Sequence, residues 1–356
     1  MYKKLFCPGP TNVNEDILQK MATPLISHRT KEATKLQKDI SAKLKKIMFT
    51  NNEIILSTSS ACGLMEGAVR SCTQKKAAMF SCGVFGNQWY QMTVTNNIPS
   101  DKFEVELGKP ITKELVKKAL DSGEYDLITV THNETSTGVV NPIEEIAEVV
   151  KDYPNVIFCL DTVSSLGGVK IEVDKLGVDI CLASTQKCLA LPPGYSVCSM
   201  SQKAVEAAKK VEFRGSYFDL LRLYEWVTER EYQYPSTPSV SHMFALDYQL
   251  DKILQEGIEN RFARHKELAN YVREWVKNNF ALFAEEEYAS DTVTCVKNTK
   301  NIDVAKLNES LGEKGYIISN GLDKIKDKTF RIGHMGEARI EDLEGLLSAI
   351  EDILNL

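Results

Sequence analysis

No run of about 18 apolar residues occurs in this 356-residue chain, which argues against a membrane-spanning helix. The opening Met1-Tyr2-Lys3-Lys4-Leu5-Phe6-Cys7-Pro8 meets proline before the apolar stretch of a secretion signal could form, so export is not expected. Nine cysteines are present, yet they include no Cys-x-x-Cys pair and no Cys/His cluster at zinc spacing, so no metal site is expected. Their odd number fits a reducing, cytoplasmic setting better than a disulfide framework. Cys159, Cys181 and Cys198 each lie in or beside an apolar run that reads as a buried strand. The glycine fingerprints GxGxxG and GxxxxGK[ST] are missing as well, which excludes the usual dinucleotide and P-loop sites. Basic runs, heptads, repeats and low-complexity tracts are absent, and the net charge is −6. Nucleic acid is therefore not an expected partner, because phosphate backbones require an electropositive surface.

What is present is an ordinary globular composition, 43% hydrophobic and 26% charged, in a chain long enough for one large domain and one smaller one. Helical periodicity runs from Lys31 to Met48 through Leu36, Ile40, Leu44 and Ile47. Beyond it, short apolar runs at Glu53–Ser57, Ala77–Ser81, Asp126–Thr131, Val156–Leu160, Asp179–Ala183 and Ser196–Ser199 read as strands. Helix-like segments at Leu64–Ser71, Lys113–Asp121 and Pro142–Lys151 separate several of them. Strands alternating with helices predict an α/β fold with a mainly parallel sheet, the last run turning back as an antiparallel neighbour. Near residue 255 the pattern changes. A long charged helix from Ile258 to Asn278 precedes a strand at Thr292–Val296, a helix near Val304–Lys314, a strand at Thr329–Ile332 and a helix from Ile340 to Leu354. The expected division is a large domain over 1–255 and a small C-terminal α+β domain over 256–356.

Ligands of parallel α/β sheets collect at the carboxyl ends of the strands, so the residues standing there bear most directly on function. They are Thr58-Ser59-Ser60-Ala61-Cys62-Gly63, then His132-Asn133-Glu134-Thr135-Ser136-Thr137-Gly138, then Asp161-Thr162-Val163-Ser164-Ser165, then Ser184-Thr185-Gln186-Lys187. Together they suit a phosphorylated aromatic aldehyde. Small residues at 59–63 let backbone N–H groups and a helix N-terminus approach a phosphate, although a plain Ser N-cap is the commoner reading of that turn alone. Asp161 at a strand end suits a carboxylate that keeps a pyridine nitrogen protonated; alone, it would more often be an N-cap or loop ion pair. Lys187, followed by Cys188-Leu189-Ala190-Leu191, is flanked by apolar surface that favours the neutral, nucleophilic amine. With Asp161 upstream, that reading outweighs a snorkelling surface lysine. Phe85 could stack on a flat ring or simply fill the core. Arg331 could clamp a substrate carboxylate or form a surface ion pair. His334 and Met335 read as structural.

At these residues the chain resembles the class V, fold-type I PLP-dependent aminotransferases, and within them the alanine–glyoxylate/serine–pyruvate branch. The resemblance spans nearly the whole chain. It rests on Pro8-Gly9-Pro10-Thr11, His132-x-Glu134-x-Ser136-Thr137-Gly138, Asp161-x-Val163-x-Ser165-x-Gly167-Gly168, Ser184-x-Gln186-Lys187, Pro192-Pro193-Gly194 and Arg331-Ile332-Gly333-His334-Met335-Gly336. It implies that Lys187 carries pyridoxal 5'-phosphate (PLP) as a Schiff base while Asp161 holds the pyridine nitrogen. Val163 and Phe85 would cover the two ring faces, Ser60, Ala61, Cys62 and Gln186 would hold the phosphate, and Ser136 would lie near cofactor and substrate. Arg331 would bind the substrate carboxylate. It further implies a homodimer with the site at the interface, Thr237, or Ser236 beside it, reaching the other subunit's phosphate from Tyr234-Pro235-Ser236-Thr237-Pro238, and an N-terminal extension near the active site. Three departures stand out: Phe85 where many relatives have Trp, Ser57-Thr58-Ser59-Ser60-Ala61 where they have a glycine-rich cup, and Gln88 where an arginine is frequent.

The expected activity is transamination between alanine or serine and glyoxylate or pyruvate. A 2-aminoethylphosphonate–pyruvate transaminase shares much of the pattern, and a PLP lyase of the cysteine desulfurase or kynureninase kind uses the same fold. A desulfurase needs a mobile, reactive cysteine, whereas Cys295 sits in an alternating run that reads as strand. A non-catalytic member would lack Lys187 or Asp161, and both are present.

Overall fold

Short apolar runs separated by amphipathic ones fold into a seven-stranded sheet flanked by helices. The computed structural model describes residues 3–356, so Met1 and Tyr2, which open the segment read as unsuited to export, lie outside the described residues. The strands are β1 (Glu53–Ser57), β2 (Ala77–Ser81), β3 (Ser100–Glu104), β4 (Leu127–Thr131), β5 (Ile157–Asp161), β6 (Ile180–Ser184) and β7 (Ser196–Met200). Their order is β1-β7-β6-β5-β4-β2-β3. Only β7 runs antiparallel to its neighbours, β1 and β6. The remaining pairs are parallel, so the ends of β1, β2, β4, β5 and β6 share one edge.

Alternate residues of each strand enter different cores. Ile54, Leu56, Ala78, Phe80, Ile128 and Val130 belong to one, and Ile55, Ala77, Met79, Leu127, Ile157 and Cys159 to the other. Cover on both faces is why these strands read as unbroken apolar runs. Cys159, Cys181 and Cys198 are buried within them, and no disulfide is formed among the described residues. The edge strand β3 carries no apolar run, its sequence being Ser100-Asp101-Lys102-Phe103-Glu104. Charge on an edge strand guards its unpaired backbone against other chains. Three helices shape the ligand-binding edge and its support: α1 (Ala61–Cys72) after β1, α2 (Val84–Thr95) after β2, and α3 (Val240–Glu256) packed across the first core.

Beyond Gly257 stand α4 (Ile258–Asn279), β8 (Ala281–Leu282), β9 (Val293–Lys297), β10 (Ser319–Asn320), β11 (Thr329–Gly333) and α5 (Ile340–Leu354). The four strands form an antiparallel sheet in the order β8-β9-β11-β10, with a core of its own. The N-terminal lead-in, residues 3–11, does not stay with the large sheet alone. Lys4–Leu5 instead pairs in parallel with Tyr316–Ile317, and Phe6 is buried in the C-terminal core. Only there does the Phe6 ring find apolar cover. The chain then turns back to the large sheet, where Thr11 N–H donates to Gln186 O (3.1 Å) and its hydroxyl to Lys187 O (3.2 Å).

The lead-in crosses β11 at a glycine. Gly333 N–H donates to Phe6 O at 2.6 Å, and a Cβ on Gly333 would stand 2.3 Å from Cys7 O. Gly333→Ala is therefore expected to destabilise the protein by about 1–3 kcal/mol, the usual cost of overpacking. Urea denaturation checks this, and an unchanged midpoint and slope would contradict it.

Candidate active site

The shared edge of the sheet encloses a cavity lined by Ser60, Ala61, Cys62, Phe85, Asp161, Val163, Gln186 and Lys187, all expected from sequence. Met65, Gln88, Thr131, Asn133 and Ser164 complete its wall, and sequence reasoning assigned none of them a role there. At one end stands the N-terminus of α1. Ser60 occupies its N-cap position without a side-chain cap bond. The N–H groups of Ala61 and Cys62 have no acceptor among the described residues, while that of Gly63 bonds to Ser60 O. Two open donors plus the helix dipole make an anion seat. Neighbouring hydroxyls are turned toward the sheet instead: Ser57 and Ser59 bond to each other at 2.8 Å, and Ser59 to Ser196 at 3.3 Å. Gln88, in place of the frequent arginine, donates to Cys62 Sγ at 3.1 Å.

The wall also carries three buried polar atoms without a protein partner, Thr131 Oγ1, Asn133 Oδ1 and Gln186 Oε1. Each such atom costs about 1–3 kcal/mol unless something polar meets it. An anion seat, orphaned polar atoms, a buried carboxylate and a buried amine together fit a ligand with a phosphate, a basic ring nitrogen and an aldehyde.

Asp161 closes β5 and is 4% exposed. Its Oδ1 accepts from Val163 N–H (2.9 Å) and its Oδ2 from the indole N–H of Trp89 (3.3 Å). Burial pushes the carboxyl up to about 6 despite these donors. Lys187 follows β6 and is 9% exposed. Burial lowers its amine to about 8, with the nearby Arg331 charge acting in the same direction. The Nζ donates to Pro8 O. Gly9 (φ +92°) lies so close that a Cβ there would stand 2.3 Å from Lys187 Cδ. The lead-in thus forms the lid over the lysine.

Three sequence-predicted residues stand outside the cavity lining. Arg331, on β11, is buried, with Nε donating to Asn320 O (3.0 Å) and Nη1 to Thr135 O (3.3 Å). Its Nη2 has no partner among the described residues. Ser136 is buried and lines a second cavity with Gly83 and Val84, its hydroxyl donating to Glu134 (2.6 Å) and accepting from Val84 N–H (3.0 Å). Thr237 is exposed on this chain, and two residues further on the backbone N–H of Ser239 donates to Thr58 Oγ1 (2.9 Å). His334 is buried against Thr294 (2.9 Å), and burial drives its imidazole down to about 3. Met335 packs with Cys188 and Val293. Cys295 is buried in β9, its thiol pushed up to about 12, the opposite of a reactive desulfurase cysteine. Sequence reasoning missed Trp89, which lies four residues after Phe85 and so on the same face of α2. It also missed the carbonyl of Pro8, since no sequence pattern marks where a backbone oxygen points.

A buried lysine and aspartate stand at neighbouring ends of a parallel sheet, with a helix N-terminus opposite, a donor set that fits a phosphorylated pyridine aldehyde. Residues 10–340 match the family described as Aminotransferase class-V. An uncharacterized aminotransferase of Methanocaldococcus jannaschii is 40% identical, over 98% of this chain and 92% of its own length. The serine–glyoxylate aminotransferase of Arabidopsis thaliana is 30% identical, over 98% and 90%. The crystal structure of an alanine–glyoxylate aminotransferase from Nostoc sp. superposes with a TM-score of 0.95 at 27% identity, covering 99% of this chain and 96% of that one. The chain belongs to the class V aminotransferases and is a PLP-dependent enzyme. No helix among the described residues is long and apolar enough to cross a membrane.

The raised Asp161 carboxyl has a measurable consequence in the cofactor-free protein. A folded value near 6 against an ordinary 3.8 means the folded state binds the proton more tightly. The associated stability, about 3 kcal/mol, is full below pH 4 and is lost as pH rises through 6. The difference in unfolding free energy between wild type and Asp161→Asn should therefore fall across that window. A difference independent of pH between 4 and 7 would contradict the assignment.

Proposed function

We propose that the enzyme transfers the amino group of a small amino acid, alanine or serine, to a small 2-oxo acid, glyoxylate or pyruvate. The observation that carries this is the unpartnered Nη2 edge of Arg331, close enough to Lys187 for its charge to be felt there, in a site closed by the backbone of Pro8 and Gly9. Such a site suits a carboxylate with little side chain beyond it. Similarity to a serine–glyoxylate and an alanine–glyoxylate aminotransferase supports the same choice.

When bound, PLP supplies an aldehyde that condenses with amines and a protonated ring that accepts electron density from the substrate Cα. Ser60, Ala61, Cys62 and Gln186 would hold its phosphate, Phe85 and Val163 would confine the ring between them, and Asp161 would keep the ring nitrogen protonated. Arg331 orients the substrate by its carboxylate, with Asn320 O and Thr135 O fixing the guanidinium plane. Lys187 Nζ would take the proton from the substrate Cα and deliver it to the cofactor carbon that receives the amino group, a role open only to its neutral form. Burial makes that form accessible near pH 8. The working unit in this reading is a cytoplasmic homodimer, in which Thr237 of a second copy contributes to the phosphate seat.

Purified holoenzyme given alanine and glyoxylate should produce pyruvate and glycine in equal amounts, and serine should replace alanine. Lys187→Ala should lower turnover by on the order of 10²–10⁴-fold, the usual share of a general base, with folding retained. Turnover confined to 2-aminoethylphosphonate, or undiminished in the lysine variant, would overturn the proposal.

A further inference from the structure

The helix that carries Phe85, Gln88 and Trp89 has no cap of its own. Its N-cap residue is Gly83, which has no side chain to accept from the first N–H groups of α2. A helix start buried in this way needs acceptors from elsewhere. They come from the turn after β4. Glu134 Oε2 accepts from Phe85 N–H (2.9 Å) and Gly86 N–H (3.0 Å), and Ser136 Oγ accepts from Val84 N–H (3.0 Å). Glu134 Oε1 in turn accepts from Ser136 N–H (3.1 Å) and Ser136 Oγ (2.6 Å), which fixes that hydroxyl as an acceptor toward Val84. Glu134 is fully buried, and no cation pairs with it among the described residues. The carboxylate is held by four donors and the positive end of the helix dipole.

That arrangement reaches further than a helix end. Phe85 and Gln88 line the cofactor cavity, and Trp89 donates to Asp161 Oδ2. All three ride on the turns of α2 that the carboxylate holds. We infer that Glu134 is a positioning residue for the cofactor: its carboxylate sets the height of the Phe85 ring over the cavity and the direction of the Trp89 indole toward Asp161. This role rests on the assignment of the cavity to PLP.

Binding of PLP to the cofactor-free protein, followed by quenching of tryptophan fluorescence, tests it without turnover. Glu134→Gln keeps the size but replaces one acceptor oxygen with a donor, and it should weaken PLP binding about tenfold. Phe85→Leu should weaken binding by itself. Because Glu134 acts through Phe85, the double variant should lose less than the product of the two single losses. Ser136→Ala, which removes the Val84 contact and one of the four donors to the carboxylate, should show the same coupling to Phe85→Leu and serves if the glutamine variant fails to fold. Wild-type PLP affinity in Glu134→Gln alongside a lowered melting temperature would reduce Glu134 to a structural cap, and losses that simply multiply would do the same. If Phe85→Leu leaves PLP affinity untouched, the stacking role fails first and the inference falls with it; if it weakens binding while Glu134→Gln does not, only the inference fails.

Discussion

The Lys187 amine stands at the end of β6, enclosed by apolar core on one side and by the backbone of Pro8 and Gly9 on the other. Removal of an ammonium from water is costly, and the protein meets that cost by lowering proton affinity rather than by supplying a carboxylate partner. Asp161, one strand away, feels the same environment with the opposite sign and is pushed up to about 6. Two groups that would pair as ions in water are thus both held closer to neutrality. A ligand bearing a basic nitrogen and an aldehyde relieves both at once, restoring a charge partner to the carboxylate and an electrophile to the amine.

Keeping water out requires the two sheets to hold together, and two features do so. One is the lead-in, which pairs with the C-terminal unit through Lys4–Leu5 and with the large sheet through Thr11. The other is Arg261 on α4, fully buried, which donates to Gly167 O, Cys188 O and Gly336 O and pairs with Glu256 and Glu337. Its carbonyl acceptors include the residue directly after Lys187. A buried arginine is tolerable only when its donors are so thoroughly used, and removal of one partner would leave a charge stranded in the core. The same bonds lock the position of β11, and therefore of Arg331, relative to the lysine.

Much of this architecture is legible in the sequence, for reasons that can be named. Strands buried on both faces leave unbroken apolar runs, so β1, β2, β4, β5, β6 and β7 are visible there, and α5 has the bounds its periodicity predicts. Polar clusters directly after those runs mark the edge where Lys187 and Asp161 stand. The features that sequence hides share a different character. The edge strand β3 is mostly charged, because one side meets solvent. Helix α2 begins at a glycine and buries Gly86, Trp89 and Thr93 among polar neighbours, so it shows little periodicity. Backbone acceptors such as Pro8 O, and the capping role of Glu134, depend on tertiary approach that no local pattern encodes. Pro8, Gly9 and Pro10 read as a loop and are irregular, whereas the pairing of Lys4 and Leu5 is made with residues more than 300 positions away and leaves no local pattern.

The proposed function depends on one lysine, Lys187, carrying the cofactor. Borohydride reduction of the PLP-loaded protein, followed by peptide mass mapping, tests that role most directly. A single pyridoxyl label on Lys187 is the expected result. A label on any other lysine, or none at all, would contradict it.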